Sequence, residues 1–153
     1  MTLEEVQELV SRGAYLRWLG LKVLAVGEDS IEVKATWREE WVANPTLMQT
    51  HGGILAALID FAADFSLVQA IGHPVPTIDM RVDYHRLATP GDLVAKGRII
   101  KLGKQFSVCE AQIHDEGGRL IASGRGTYIT ASRTGYSVAA AVIVSAVVAR
   151  TGE

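Results

Sequence analysis

From residue 52 to about residue 70 the chain is apolar on nearly every side of a helical projection, with Ile54, Leu55, Leu58, Ile59, Phe61, Phe65, Leu67 and Val68 leaving little room for a polar stripe. A helix of that character is surrounded by protein rather than laid on a surface. Gly72 and Pro74 predict its end. Residues 21–26 and 31–37, divided by Gly27-Glu28-Asp29-Ser30, predict a hairpin. Strand-like runs follow the helix at 77–84, 92–102, 105–114 and 120–130, separated by glycine- and proline-bearing turns. At the start of the chain, Thr2-Leu3-Glu4-Glu5 has the form of a capping box. Leu3, Val6, Leu9 and Val10 then make one apolar face and Gly13 a stop, so this short helix should cover the rim of a core. Residues 37–43 predict a loop or a short helical turn. One long apolar helix with consecutive antiparallel strands predicts an α+β domain whose sheet wraps around the helix.

That domain should occupy residues 1–133. Residues 134–153 form an extension whose apolar run, 138–149, is shorter than the ~20 residues a bilayer crossing takes, and its role is not legible. The 153 residues are enough for one domain with a real core, and 48% hydrophobic against 21% charged residues is an ordinary globular balance. A net charge of −2 without a basic run excludes a nucleic-acid binder. Charge is unevenly placed, however: residues 1–76 carry 5 Lys/Arg and 10 Asp/Glu, residues 77–153 carry 10 and 7. The basic second half suits a phosphate-rich ligand. Cys109 is the only cysteine, which excludes an intramolecular disulfide, and its place in an apolar strand predicts a buried thiol. The acidic N-terminus lacks the apolar core of a signal peptide, so a cytoplasmic protein without a membrane partner is expected.

Chemistry enters with His51-Gly52-Gly53 and, nine positions after the histidine, Asp60. An unpaired carboxylate in an apolar helix is expensive, and this helix carries two, Asp60 and Asp64. A helix N-terminus offers unsatisfied N–H groups and the positive end of a dipole. Glycines at 52 and 53 would let a carbonyl approach them, so the Gly52 N–H, with Gly53 beside it, is the expected oxyanion donor. Asp60 is the expected nucleophile or general base, the two roles being indistinguishable from sequence. Nine helical residues span about 13 Å at ~1.5 Å each. Asp60 therefore cannot reach a carbonyl held at the start of its own helix, and a shared site requires two chains across a two-fold axis. Asp64 lies one turn from Asp60, and mutual repulsion should raise the pKa of at least one. Replacing Asp64 by Ser should then move the acidic limb of activity to lower pH.

The sequence Asn44…His51-Gly52-Gly53…Asp60, within elements whose order covers about residues 15–132, resembles the hotdog-fold acyl-CoA thioesterases, in particular their phenylacetate-degradation (PaaI-like) branch. The resemblance implies an antiparallel sheet wrapped around one central helix, a homodimer or dimer of dimers with sites shared between chains, and no cofactor or metal. It implies an acyl-CoA substrate, Asn44 and His51 positioning the thioester or the water, and Thr77 assisting the catalytic acid from the same chain. Lys104 and Arg98, with Lys96 and Arg125, would then meet coenzyme A phosphates, and Phe61 would join Trp37, Trp41, Phe65 and Met48 along the acyl chain. The chain departs from the family at three places. Asn44 and His51 are seven apart instead of six, Leu47-Met48-Gln49 replaces a glycine before the histidine, and Asp64 stands where a small hydroxyl residue is usual. Aryl-acetyl and medium aliphatic acyl groups both remain open. A hotdog hydratase or dehydratase and a non-catalytic acyl-CoA sensor are the rival readings.

Overall fold

The computed structural model describes residues 1–131, so the extension at 134–153 lies outside the described residues. Helix α1 (Leu3–Arg12) begins on the capping box, with Thr2 and Glu5 exchanging side-chain and backbone hydrogen bonds. Val6 and Val10 are buried against the core, as their spacing predicts. A short helix α2 (Ala14–Trp18), not expected from the sequence, follows Gly13 directly.

Six strands form one antiparallel sheet in the order β1-β2-β6-β7-β8-β5. They are β1 (Leu21–Val26), β2 (Ser30–Ala35), β5 (Thr77–Tyr84), β6 (Leu93–Lys101), β7 (Phe106–Asp115) and β8 (Leu120–Ile129). The sequence places all six within two residues. Where it expects a loop or turn over residues 37–43, a 3-10 turn at Glu39–Trp41 leads into a small hairpin of β3 (Val42–Asn44) and β4 (Gln49–Thr50). Strands this short lack the alternation that would reveal them, and a turn at Asn44 rather than a glycine closes the loop between them.

Helix α3 (Gly52–Ile71) lies across the sheet, ended by Gly72 in the left-handed conformation with φ 77°. Its seat is a row of small residues: Gly97 pairs with Ala111, and Ala111 with Gly124, across β6, β7 and β8. A side chain at Gly97 would fall on the Ala62 carbonyl, and one at Gly124 would come within 2.6 Å of Ile59. The helix therefore packs close to the sheet, burying Leu55, Leu58, Ile59, Ala62, Ala63 and Leu67 against Val33, Ala95, Ile113 and Ile121. By length and composition this helix could cross a membrane, but its apolarity serves that core. One stripe of it is less covered: Gly53 is exposed, and Ala56, Ala57, Asp60 and Asp64 are half-buried. The two carboxylates lie on that stripe.

Candidate active site

The start of α3 is built by His51. Its backbone N–H donates to the Trp41 carbonyl at 2.7 Å, and its ring Nδ1 accepts the Gly53 N–H at 2.8 Å, so the histidine is the N-cap. A side-chain acceptor there satisfies one of the donors a helix leaves open. An accepting Nδ1 puts the ring proton of neutral His51 on Nε2. Gly53 must be glycine for this, because a Cβ would lie 2.8 Å from Nδ1. The expectation of two backbone donors for an oxyanion is accordingly narrowed. The Gly53 N–H is taken by His51, while the Gly52 N–H has no acceptor among the described residues. Tyr84 packs beside Gly52 and donates its hydroxyl to the Gly52 carbonyl at 3.1 Å. A cavity of about 450 Å³ opens here, lined by Gln49, Thr50, Gly52, Leu55, Tyr84 and His85 among others.

Two turns further along, Asp60 Oδ1 accepts the Thr77 hydroxyl at 3.1 Å and the Tyr128 hydroxyl at 3.3 Å. Thr77 opens β5 and Tyr128 lies near the end of β8, its register partner. Tyr128 is fully buried and was missed by sequence reasoning. Its place in an alternating strand looks like ordinary core, and only the fold puts its hydroxyl beneath Asp60. Asp64 is one turn beyond, with Oδ1 buried and without a hydrogen-bond partner among the described residues. Burial, and secondly the charge of Asp60, push its pKa up to about 8. Asp64 is thus a neutral acid at pH 7, and the expected conflict between the two carboxylates is resolved by its protonation.

A stability prediction follows from that shift. Between pH about 4 and about 8 the folded chain keeps a proton on Asp64 that the unfolded chain releases. Stability should therefore decline with rising pH in this window, at up to ~1.4 kcal/mol per pH unit from this group alone. Asp64→Asn, which cannot ionise, is expected to flatten that slope, and urea unfolding of both proteins at pH 5, 6.5 and 8 measures it. Equal slopes would place Asp64 in a more solvated setting than its buried Oδ1 indicates.

The remaining expected residues are placed as follows. Asn44 Oδ1 accepts the backbone N–H groups of Thr46 and Leu47 at 3.0 and 3.2 Å, so its carbonyl oxygen closes the β3–β4 turn and only its amide N–H remains for a ligand. Phe61 is buried and stacked on Phe65, ring centroids 4.4 Å apart, which makes it part of the core rather than an open wall. Trp41 is fully buried as well. Arg98 and Arg125 both pair with Glu110 on the outer face of the sheet, at 2.6 and 2.8 Å. Those two arginines hold the Glu110 carboxyl below its usual range, the Arg125 bond contributing most. Lys104 is exposed in the turn between β6 and β7. Cys109 is fully buried, and burial pushes its thiol up to about 11, so it is not an available nucleophile. Among the described residues no group of three His, Cys, Asp or Glu is placed to hold a metal ion. The structure thus gathers Asp60, Asp64 and Thr77 with Tyr128 at mid-helix, and His51, Gly52 and Gly53 at the helix start, and leaves Arg98 and Lys104 outside both groups.

Comparison with known proteins gives the family. The Thioesterase superfamily family model matches residues 49–122, which span the helix start and Asp60. The X-ray structure of a protein from the thioesterase superfamily is 50% identical, with a TM-score of 0.81, over 83% of this chain and 96% of that one. A medium/long-chain acyl-CoA thioesterase of Escherichia coli, YigI, is 29% identical over 74% of this chain and 83% of its own. The E. coli PaaI protein from the phenylacetic acid degradation operon is 21% identical with a TM-score of 0.74 over 82% of this chain and 90% of its own, a likeness of fold alone. The chain belongs to the thioesterase superfamily and has its hotdog fold.

Proposed function

We propose that this chain hydrolyses acyl-CoA thioesters to a carboxylic acid and free coenzyme A, in the manner of the phenylacetate-degradation branch. The observation that carries the reading is the pair of half-sites on α3: a Gly52 N–H at its start with no acceptor among the described residues, and Asp60 held by two hydroxyls at its middle. The first suits the oxygen of a thioester becoming an oxyanion. The second suits attack on its carbon, or removal of a proton from the attacking water. His51 Nε2 and the Asn44 amide are the remaining groups for orienting the thioester, and Lys104, with Arg98, for coenzyme A phosphates.

The two half-sites lie about 12 Å apart along one helix at ~1.5 Å per residue, so one thioester is shared by two chains of a homodimer. Two features support that assembly. Strand β5, which carries Thr77, is an edge strand paired on one side only among the described residues, with Ile78 and Tyr84 exposed. The half-covered stripe of α3 bears Asp60 itself. A dimer of dimers in the cytoplasm, acting without a cofactor, completes the proposal.

Release of free thiol from a panel of aryl-acetyl, medium-chain and long-chain acyl-CoAs tests the activity. Thiol release that is first order in the protein supports it. Hydration of an enoyl-CoA without thiol release points instead to a hydratase, and saturable binding without turnover to a sensor. Asp64 adds a pH signature, and its raised pKa supports a different one from that expected above. Below pH about 8 Asp64 is neutral and places no charge on Asp60, so Asp64→Ser should leave the acidic limb in place. The alkaline side should change instead. Ionised Asp64 brings a second negative charge to Asp60, so wild-type kcat/KM should change above pH about 8 and that of the serine variant should not. An alkaline limb common to both proteins would remove Asp64 from the mechanism.

A further inference from the structure

Tyr128 is absent from the expected set of functional residues, yet no other described side chain except Thr77 donates to Asp60. Both hydroxyls reach the same oxygen, Oδ1, from adjacent strands β5 and β8, and no described residue donates to Oδ2. The seat of the phenol is prepared two residues earlier. A Cβ on Gly126 would lie 2.7 Å from the Tyr128 hydroxyl and 2.9 Å from its ring, so glycine at 126 makes the room the ring occupies. The phenol also keeps its proton: burial first, then the charges of Asp60 and Asp64, hold its pKa well above the usual value.

We propose that Tyr128 is a positioning residue for the hydrolysis, pinning Asp60 Oδ1 together with Thr77 so that Oδ2 is the oxygen presented to the water or the thioester carbon. This rests on the thioesterase reading above. Two donors on one oxygen fix the torsion of the carboxyl group, which otherwise turns freely between its two ends. The titratable groups beside Asp60 are Asp64 from its own helix and Tyr128 from β8, and Cys109 of β7 lies by Asp64 and Tyr128. Asp64 stays neutral below pH about 8 and Cys109 below about 11, and Tyr128 stays protonated, so none of the three adds a charge beside Asp60 at neutral pH.

Tyr128→Phe removes one oxygen atom and leaves the ring to fill its space. The expected result is a kcat about 10-fold lower, the worth of one charge-assisted hydrogen bond, with KM little changed. Gly126→Ala, which displaces the phenol without removing it, should lower kcat in the same way. A second readout is independent of turnover: the ¹³C resonance of the Asp60 carboxyl, compared at one pH in the wild type and in Tyr128→Phe without substrate, should move in the variant as the carboxyl loses a donor. Unchanged kcat and an unmoved carboxyl resonance in a folded Tyr128→Phe would overturn the proposal and make the residue plain packing. If the wild type hydrolyses no acyl-CoA but the carboxyl resonance still moves, the thioesterase reading fails while the hold of Tyr128 on Asp60 stands.

Discussion

Asp60→Asn is expected to fold as the wild type does and to lose at least ~100-fold in kcat. The fold should survive because both hydroxyls that touch this side chain donate to Oδ1. An asparagine carbonyl oxygen accepts the same two bonds from Thr77 and Tyr128, in nearly the same volume. The chemistry should not survive, since the other terminal atom becomes an amide nitrogen that neither attacks a thioester nor takes a proton from water. Thermal unfolding and thiol release on the same preparation separate the two effects. Near-full kcat in Asp60→Asn with loss of activity in Asp64→Asn would show that the two carboxylates have been assigned the wrong way round.

Gly52→Pro should cost ~10²- to 10³-fold in kcat for a different reason. Gly52 is the first residue of α3, the one helical position where proline is well tolerated, since its N–H has no partner within the helix. The residue before a proline must be extended, and His51 already is, with φ −62° and ψ 134°. The substitution therefore removes a single N–H while the helix and its His51 cap persist. Some adjustment of exposed Tyr84 is needed, because its ring lies 3.3 Å from where a Cβ at residue 52 would be. Gly52→Ala keeps the N–H and carries the same contact, so it serves as the control. If the alanine and proline variants are equally impaired, crowding against Tyr84 is responsible and the N–H is not the oxyanion donor.

The fold was legible because its strongest signals are long-range patterns in the chain. A twenty-residue helix without a polar side needs a sheet to cover it, and the alternating runs after residue 76 supply one. The β3–β4 hairpin was not legible, since strands of three and two residues carry no period. In the site, His51, Gly52 and Asp60 stood out because polar or glycine residues in an apolar run demand an explanation. Tyr128 did not, because a tyrosine in a strand demands none. Its hydroxyl meets Asp60 across 68 residues of sequence, a contact only the closed sheet creates. Asn44 shows the opposite limit: its spacing pointed to a ligand, while its carbonyl is committed to a turn. The difference between Asp60 and Asp64 was hidden too, because equal carboxylates one turn apart are separated only by what surrounds them. Asp60 meets two hydroxyls, whereas Asp64 Oδ1 meets no donor among the described residues.

The central claim is that one thioester lies between Gly52 of one chain and Asp60 of another. Mixing Asp60→Asn and Gly52→Pro chains under conditions of subunit exchange tests it directly. Each parent lacks one half of every site, but a mixed dimer contains one site with both halves intact. Statistical pairing of equal amounts should therefore restore roughly a quarter of wild-type kcat per site, from two nearly inactive proteins. A mixture no more active than its parents, with mixed dimers demonstrated by native mass spectrometry, would mean that each site is built within a single chain.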